Sequence, residues 1–172
     1  MNLFINGFLG YFFYKYAWQN PDGAETCFAS PVGSEVYSTY EEGTMNMTHM
    51  FHLWFVIGFV ISMLGIVHAL LNLVVPQQMR SISGPVTALG FLGLSTGLGL
   101  IVWGSVIRWN NQGKACSGDL YLGNEFPRPE PYLWDSGHFM YLYLVITISL
   151  LSCCCGCICC FTCCIGCAAA NS

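Results

Sequence analysis

The amino-acid sequence predicts an all-α membrane protein, a four-helix transmembrane bundle forming one domain over residues 1–172. Three observations predict it. Apolar residues make up 55% of the chain and charged residues only 8%, against about 25% charged in an ordinary soluble domain. Three stretches, 50–75, 86–108 and 138–166, each supply the roughly 20 apolar residues that a helix needs to cross a bilayer. No Asp, Glu, Lys or Arg interrupts them, apart from Arg108 at the end of the second. All nine acidic residues fall in the polar segments between the helices.

The first predicted helix, 3–18, is short. At about 1.5 Å per residue it extends roughly 24 Å, less than the roughly 30 Å hydrocarbon core. Lys15 can snorkel to the interface, where Tyr14, Tyr16 and Trp18 also fit. The expectation is a crossing; a helix lying in the membrane plane is the alternative. The same stretch resembles a signal-peptide core in its apolarity, but no basic run precedes it, so no cleavage is expected.

Polar loops are predicted at 19–48 and 109–137. Two crossings separate them, so both lie on one side of the membrane. The short connection from Pro76 to Pro85 makes the flanking helices antiparallel neighbours and lies on the other side with the C-terminus. Pro127, Pro129 and Pro131 stiffen the second loop into an extended segment.

The cysteines divide along the same line. Each polar loop holds one, Cys27 and Cys116, and the other nine cluster from Cys153 to Cys167. One cysteine per loop on a shared face invites a disulfide if that face is oxidising; two free thiols are the alternative. The C-terminal cluster admits three readings. Cys157-x-x-Cys160 and Cys164-x-x-Cys167 have metal-ligand spacing, yet no histidine accompanies them, and no metal is expected. Cys153, Cys154, Cys155, Cys157, Cys159 and Cys160 stand at the end of a membrane helix, where S-acylation (palmitoylation) takes place. Third, cysteine acts as a small apolar residue that lets helices approach closely; Cys153, Cys157, Cys160, Cys164 and Cys167 form one helix stripe.

This partition places the loops outside and the Cys-rich C-terminus in the cytosol, in a plasma membrane or endomembrane; an organellar inner membrane is the alternative. The positive-inside rule points the other way. Arg108, Lys114 and Arg128 lie on the loop side, and only Arg80 lies on the tail side. With five basic residues in all, the cysteine partition is taken as the guide.

Within the membrane, lipid gives helices no hydrophobic reason to associate, so close packing must supply it. Gly90, Gly93, Gly97 and Gly104 of the third helix and Gly58, Ser62 and Gly65 of the second are expected to form the contact seam between neighbours.

Candidate chemistry is sparse. His49, His52, His68 and His138 are the residues that a haem or chlorophyll would use, although interfacial hydrogen bonding is the plainer role. His68 sits within a span, four residues before Asn72, and an intramembrane ionisable group marks a candidate site. No nucleophile motif, phosphate-binding loop or membrane carboxylate pair is present, so no enzymatic activity and no soluble small-molecule substrate are expected. The scattered basic residues exclude a nucleic-acid surface. Asn46-Met47-Thr48 matches the N-glycosylation pattern but stands so near the membrane that it is expected to stay unmodified.

The run "VWGSVIRWNNQGKACSGDLYL", from Val102 to Leu122, carries a membrane helix into the loop of Cys116 and is followed by a last helix containing "CCCGCICC". In its Trp–Gly–Ser helix end, loop cysteine and Cys-rich final helix it resembles the small four-pass proteins similar to transmembrane protein 272. The likeness covers the C-terminal 75 residues or so, and implies architecture without an assigned chemistry. The functional expectation is a non-catalytic accessory subunit of a larger membrane assembly, without a cofactor and in contact with lipid and other membrane subunits. The alternatives are a haem- or chlorophyll-binding subunit of an electron-transfer or light-harvesting complex, and a channel or transporter component.

Overall fold

The computed structural model describes residues 2–19, 26–30, 36–37, 40, 42–74, 84–119 and 133–170. It is built from helices α1 (Asn2–Trp18), α2 (Met47–Val74), α3 (Gly84–Trp109), α4 (Asn111–Cys116) and α5 (Trp134–Ala170), with strands β1 (Phe28–Ala29), β2 (Val36–Tyr37) and β3 (Met45–Asn46). The connection between α2 and α3, including Arg80, and the Pro127–Pro131 segment lie outside the described residues.

Among the described residues, α2, α3 and α5 are long and apolar enough to cross a membrane. α2 is the most buried within the chain and α5 the least. α2 begins at Met47, earlier than the apolar run suggests, because Asn46 caps it: its Oδ1 accepts the His49 backbone N–H at 2.9 Å and satisfies one of the free amides of the first turn. α3 carries Pro85 in its first turn, where a missing N–H costs nothing. α5 starts four residues before His138 and runs to Ala170.

α2 is the hub. α1 runs antiparallel along it: Phe13 lies over Gly58, Gly10 faces Ser62 and Asn6 lies over Gly65. This ladder, from Asn6 to Phe13, lays α1 along α2. α3 is antiparallel to α2 as well. Trp54 meets Gly104 at one end of their contact, and His68 meets Gly90 at the other.

Of the predicted seam, Gly58, Ser62 and Gly65 receive a neighbour, α1. A side chain added at Gly93 or Gly97 would meet no atom within 4 Å, so the Gly93-x-x-x-Gly97 pair forms no contact among the described residues. Contact with α2 is made at the two ends of that stripe, by Gly90 and Gly104, while its middle stays open.

α5 joins the others through rings. Phe13, Trp54 and Phe55, all essentially buried, meet Phe139 and Tyr143 of α5, with Phe13–Tyr143 centroids 5.3 Å apart, Trp54–Tyr143 5.5 Å and Phe13–Phe139 6.0 Å. Such pairs each contribute about 0.5–1.5 kcal/mol beyond area burial. That contribution carries weight in lipid, where burial itself contributes little to helix association. Among the described residues Leu144 is the last buried one of α5, and from Ser149 to Cys155 every residue is exposed.

Candidate functional site

The densest polar structure is a cap over one end of the bundle. The segment predicted as the loop 19–48 forms a three-stranded antiparallel sheet in the order β2-β1-β3. Phe28 pairs with Tyr37 and with Asn46, and Ala29 with Val36 and with Met45. β3 runs directly into α2, and the Met47 N–H bonds the Cys27 carbonyl at 2.9 Å. The Cys27 N–H in turn donates to Thr48 Oγ1 at 2.7 Å. Both polar residues of the Asn46-Met47-Thr48 pattern are thus engaged in holding the cap.

The segment predicted as the loop 109–137 contains α4. Asn110 caps it, with an extended backbone and its Oδ1 accepting from the Asn111 N–H. Gly118, with φ of 82°, closes it with an N–H bond to Ala115 O at 3.1 Å, in the left-handed conformation that suits glycine after a helix end. α4 lies so close to the end of α3 that a Cβ on Gly113 would fall 2.0 Å from the Ile107 carbonyl oxygen. α5 is tied in by the Leu133 N–H, which bonds Cys116 O at 3.0 Å.

Cys27 and Cys116 are joined in a disulfide, their Cα atoms 6.0 Å apart, and both are fully buried. The bond links the residue just before β1 to the last residue of α4. The two polar segments therefore meet at one end of the bundle.

At the same end of the bundle, where α3 meets α4, lies a buried arginine. The Arg108 side chain is 3% exposed; its Nη1 stands 2.7 Å from Asp119 Oδ2, and its Nε donates to Gly137 O at 2.9 Å. The Nη1–Asp119 contact pairs charges but does not meet hydrogen-bond geometry, so the directed bond to Gly137 is the firmer of the two. The guanidinium also sits 5.6 Å from the ring centre of Tyr141. Ser117 Oγ is buried without a hydrogen-bond partner among the described residues. It fills the space that a side chain on Gly137 would need, 2.2 Å from that Cβ position.

The histidines are not assembled into a site. His49, His52 and His138 are exposed, with His138 stacked on Trp134 at 6.2 Å. His68 is half-buried, and its ring lies against Gly90 and beside the Asn72 amide, 3.1 Å from Nε2. Asn72 also donates to the His68 carbonyl at 2.9 Å. Among the described residues no three His, Cys, Asp or Glu side chains are grouped so as to hold a metal ion. Hydroxyls within the spans are satisfied locally: Ser62 bonds the Gly58 carbonyl, Ser105 that of Ile101, Ser95 that of Phe91, Thr96 that of Leu92 and Thr147 that of Tyr143. Of the thiols named as acylation candidates, Cys153, Cys154, Cys155 and Cys157 are free and exposed; the side chains of Cys159 and Cys160 lie outside the described residues.

Arg108, Gly113 and Trp54 are functional to the architecture and were not singled out as sites by the sequence. The signals were present: a lone arginine closing an uncharged span, and a tryptophan in mid-helix whose N–H requires a partner.

The fold and cap define a class: a mostly helical protein with three helices suited to a membrane and a disulfide-tied polar cap. No family model, curated protein or solved structure matches the chain.

Proposed function

We propose that the chain crosses a bilayer four times and acts as a non-catalytic accessory subunit of a larger membrane assembly. The observation that carries this reading is the outward turn of α3 and α5. Exposed on α3 are Phe91, Leu92, Leu94, Leu98 and Val102, alongside the open Gly93 and Gly97. Small residues are what close helix–helix approach in lipid requires, and among the described residues this pair meets no neighbour. Gentle solubilisation of native membranes followed by sizing is the test. A complex much heavier than the 19.0 kDa chain is expected; a lone chain with its detergent belt contradicts the reading.

The Cys27–Cys116 bond supports a cap facing an oxidising compartment and a C-terminus in the cytosol, which makes the α5 cysteines acceptors for S-acylation. The opposing charge asymmetry loses weight because Arg108 is buried and paired with Asp119, and so offers no free charge at a membrane surface. The cofactor alternative draws no support from three exposed, unassembled histidines. The channel alternative draws none from hydroxyls bonded to their own helices.

A further inference from the structure

α5 is one helix of 37 residues, about 55 Å long at 1.5 Å per residue. A hydrocarbon core of roughly 30 Å would accommodate that length only at a tilt of about 57°, beyond the 40° or so that membrane helices reach. α5 therefore cannot lie wholly within the core. Counted from Trp134 at the cap end, a tilt of about 20° brings it out near Cys154, and one of about 40° near Cys159.

The exit point coincides with Cys153, Cys154, Cys155 and Cys157, whose thiols are free and exposed. Helical geometry sets these four around the helix rather than along one face, and the neighbouring Leu150, Leu151 and Ser152 are exposed as well. Of the cysteine stripe read as a close-packing face, Cys153 and Cys157 are thus uncovered, while the side chains of Cys160, Cys164 and Cys167 lie outside the described residues. Beyond Cys157, residues 158–170 include no Asp, Glu, Lys or Arg. An uncharged helix emerging from the core has no polar face to present to water, so it requires an apolar cover on the tail side.

We propose that Cys153, Cys154, Cys155 and Cys157 form an S-acylation collar whose chains provide that cover. The co-substrate class is a long-chain fatty acyl-CoA. A cysteine thiol gives up its proton, and its sulfur attacks the acyl carbonyl. A new thioester forms at the cysteine, the acyl–sulfur bond to CoA breaks, and CoA leaves as the free thiol with the proton; no oxidant or reductant is needed. The acyl chain returns to the bilayer beside the exit point and holds the emerging helix against the membrane through its buried methylenes. The proposal rests on the cytosolic placement of the tail, where the acyl-CoA is supplied.

The test uses the full chain in native membranes. Free thiols are blocked, thioesters are cleaved with neutral hydroxylamine, and the released thiols are labelled with a maleimide. No reductant is added, so the Cys27–Cys116 bond stays silent. Hydroxylamine-dependent label is expected on the wild-type chain, falling to the untreated level in a variant with all four cysteines changed to alanine. Retention of the cap disulfide on a non-reducing gel shows that this variant is folded. A wild-type chain without hydroxylamine-dependent label overturns the collar, as does label that persists in the variant. A membrane-impermeant maleimide applied to intact cells after hydroxylamine tests the sidedness separately: label appearing only after permeabilisation agrees with it, and label without permeabilisation overturns the cytosolic tail and its acyl-CoA supply.

Discussion

Trp54 links α2 to α3 through a single bond: its indole N–H donates to the Leu100 carbonyl at 2.9 Å, inside a stretch where no water is available to either group. Gly104 makes this geometry feasible, because a Cβ there would stand 2.5 Å from the indole nitrogen and 3.3 Å from the Met140 methyl. Gly104→Ala is expected to push the ring off its acceptor and cost about 1–3 kcal/mol. Gly97→Ala, which meets nothing within 4 Å, should change stability by less than about 0.5 kcal/mol. Denaturant titration of the two purified variants, followed by tryptophan fluorescence, separates them; equal midpoints would contradict the packing. At the cap, Arg108→Met removes the donor to Gly137 O. The loss of that bond, about 1–3 kcal/mol, should outweigh the loss of the Asp119 pair, because the Asp119 side chain is 40% exposed and such pairs contribute at most about 1 kcal/mol. Asp119→Asn is therefore expected to be the milder of the two by thermal denaturation in detergent.

Among the elements, α4 depends most on one residue. Gly113→Ala sets a methyl 2.0 Å from a backbone oxygen that cannot swing aside, so α4 should undock from α3 and carry Cys116 away from Cys27. The readout is the fraction of chain with the intramolecular disulfide on a non-reducing gel, expected to fall sharply. An undiminished disulfide would show that α4 does not need this approach. The long helices were legible in the sequence because an uncharged run of 20 or more residues has few other solutions. α4 and the three strands were not. A six-residue helix and two-residue strands are too short to write a period into the sequence, and their order comes from the contacts of Cys27, Thr48 and Gly113. The partners of the small residues were also hidden. Periodicity marks Gly58, Ser62 and Gly65 as a packing face, but in lipid every face of a helix is apolar, so nothing in the pattern says that α1 rather than α3 fills it. Phe13, whose ring occupies the space above Gly58, decides that, and it lies 45 positions away in a helix too short to be assigned a crossing with ease.

For the whole molecule, the disulfide closes a loop across 89 residues that include α2 and α3. In a free chain that closure would stabilise the fold by about 4–5 kcal/mol. The antiparallel α2 and α3 already hold both ends at one face, so Cys116→Ser should cost less than that, about 1–3 kcal/mol, with the helix content retained by circular dichroism; complete loss of helix would mean that the cap directs the bundle rather than closes it. The proposed placement, with the cap on the oxidising side, the collar in the cytosol and neighbouring subunits against α3 and α5, draws together the disulfide, the exposed thiols and the open α3 face. All of it requires that hydrocarbon surround α2, α3 and α5. Alkaline carbonate extraction of native membranes tests that requirement most directly: the chain is expected to stay with the pelleted membranes, and its release into the supernatant would contradict the account.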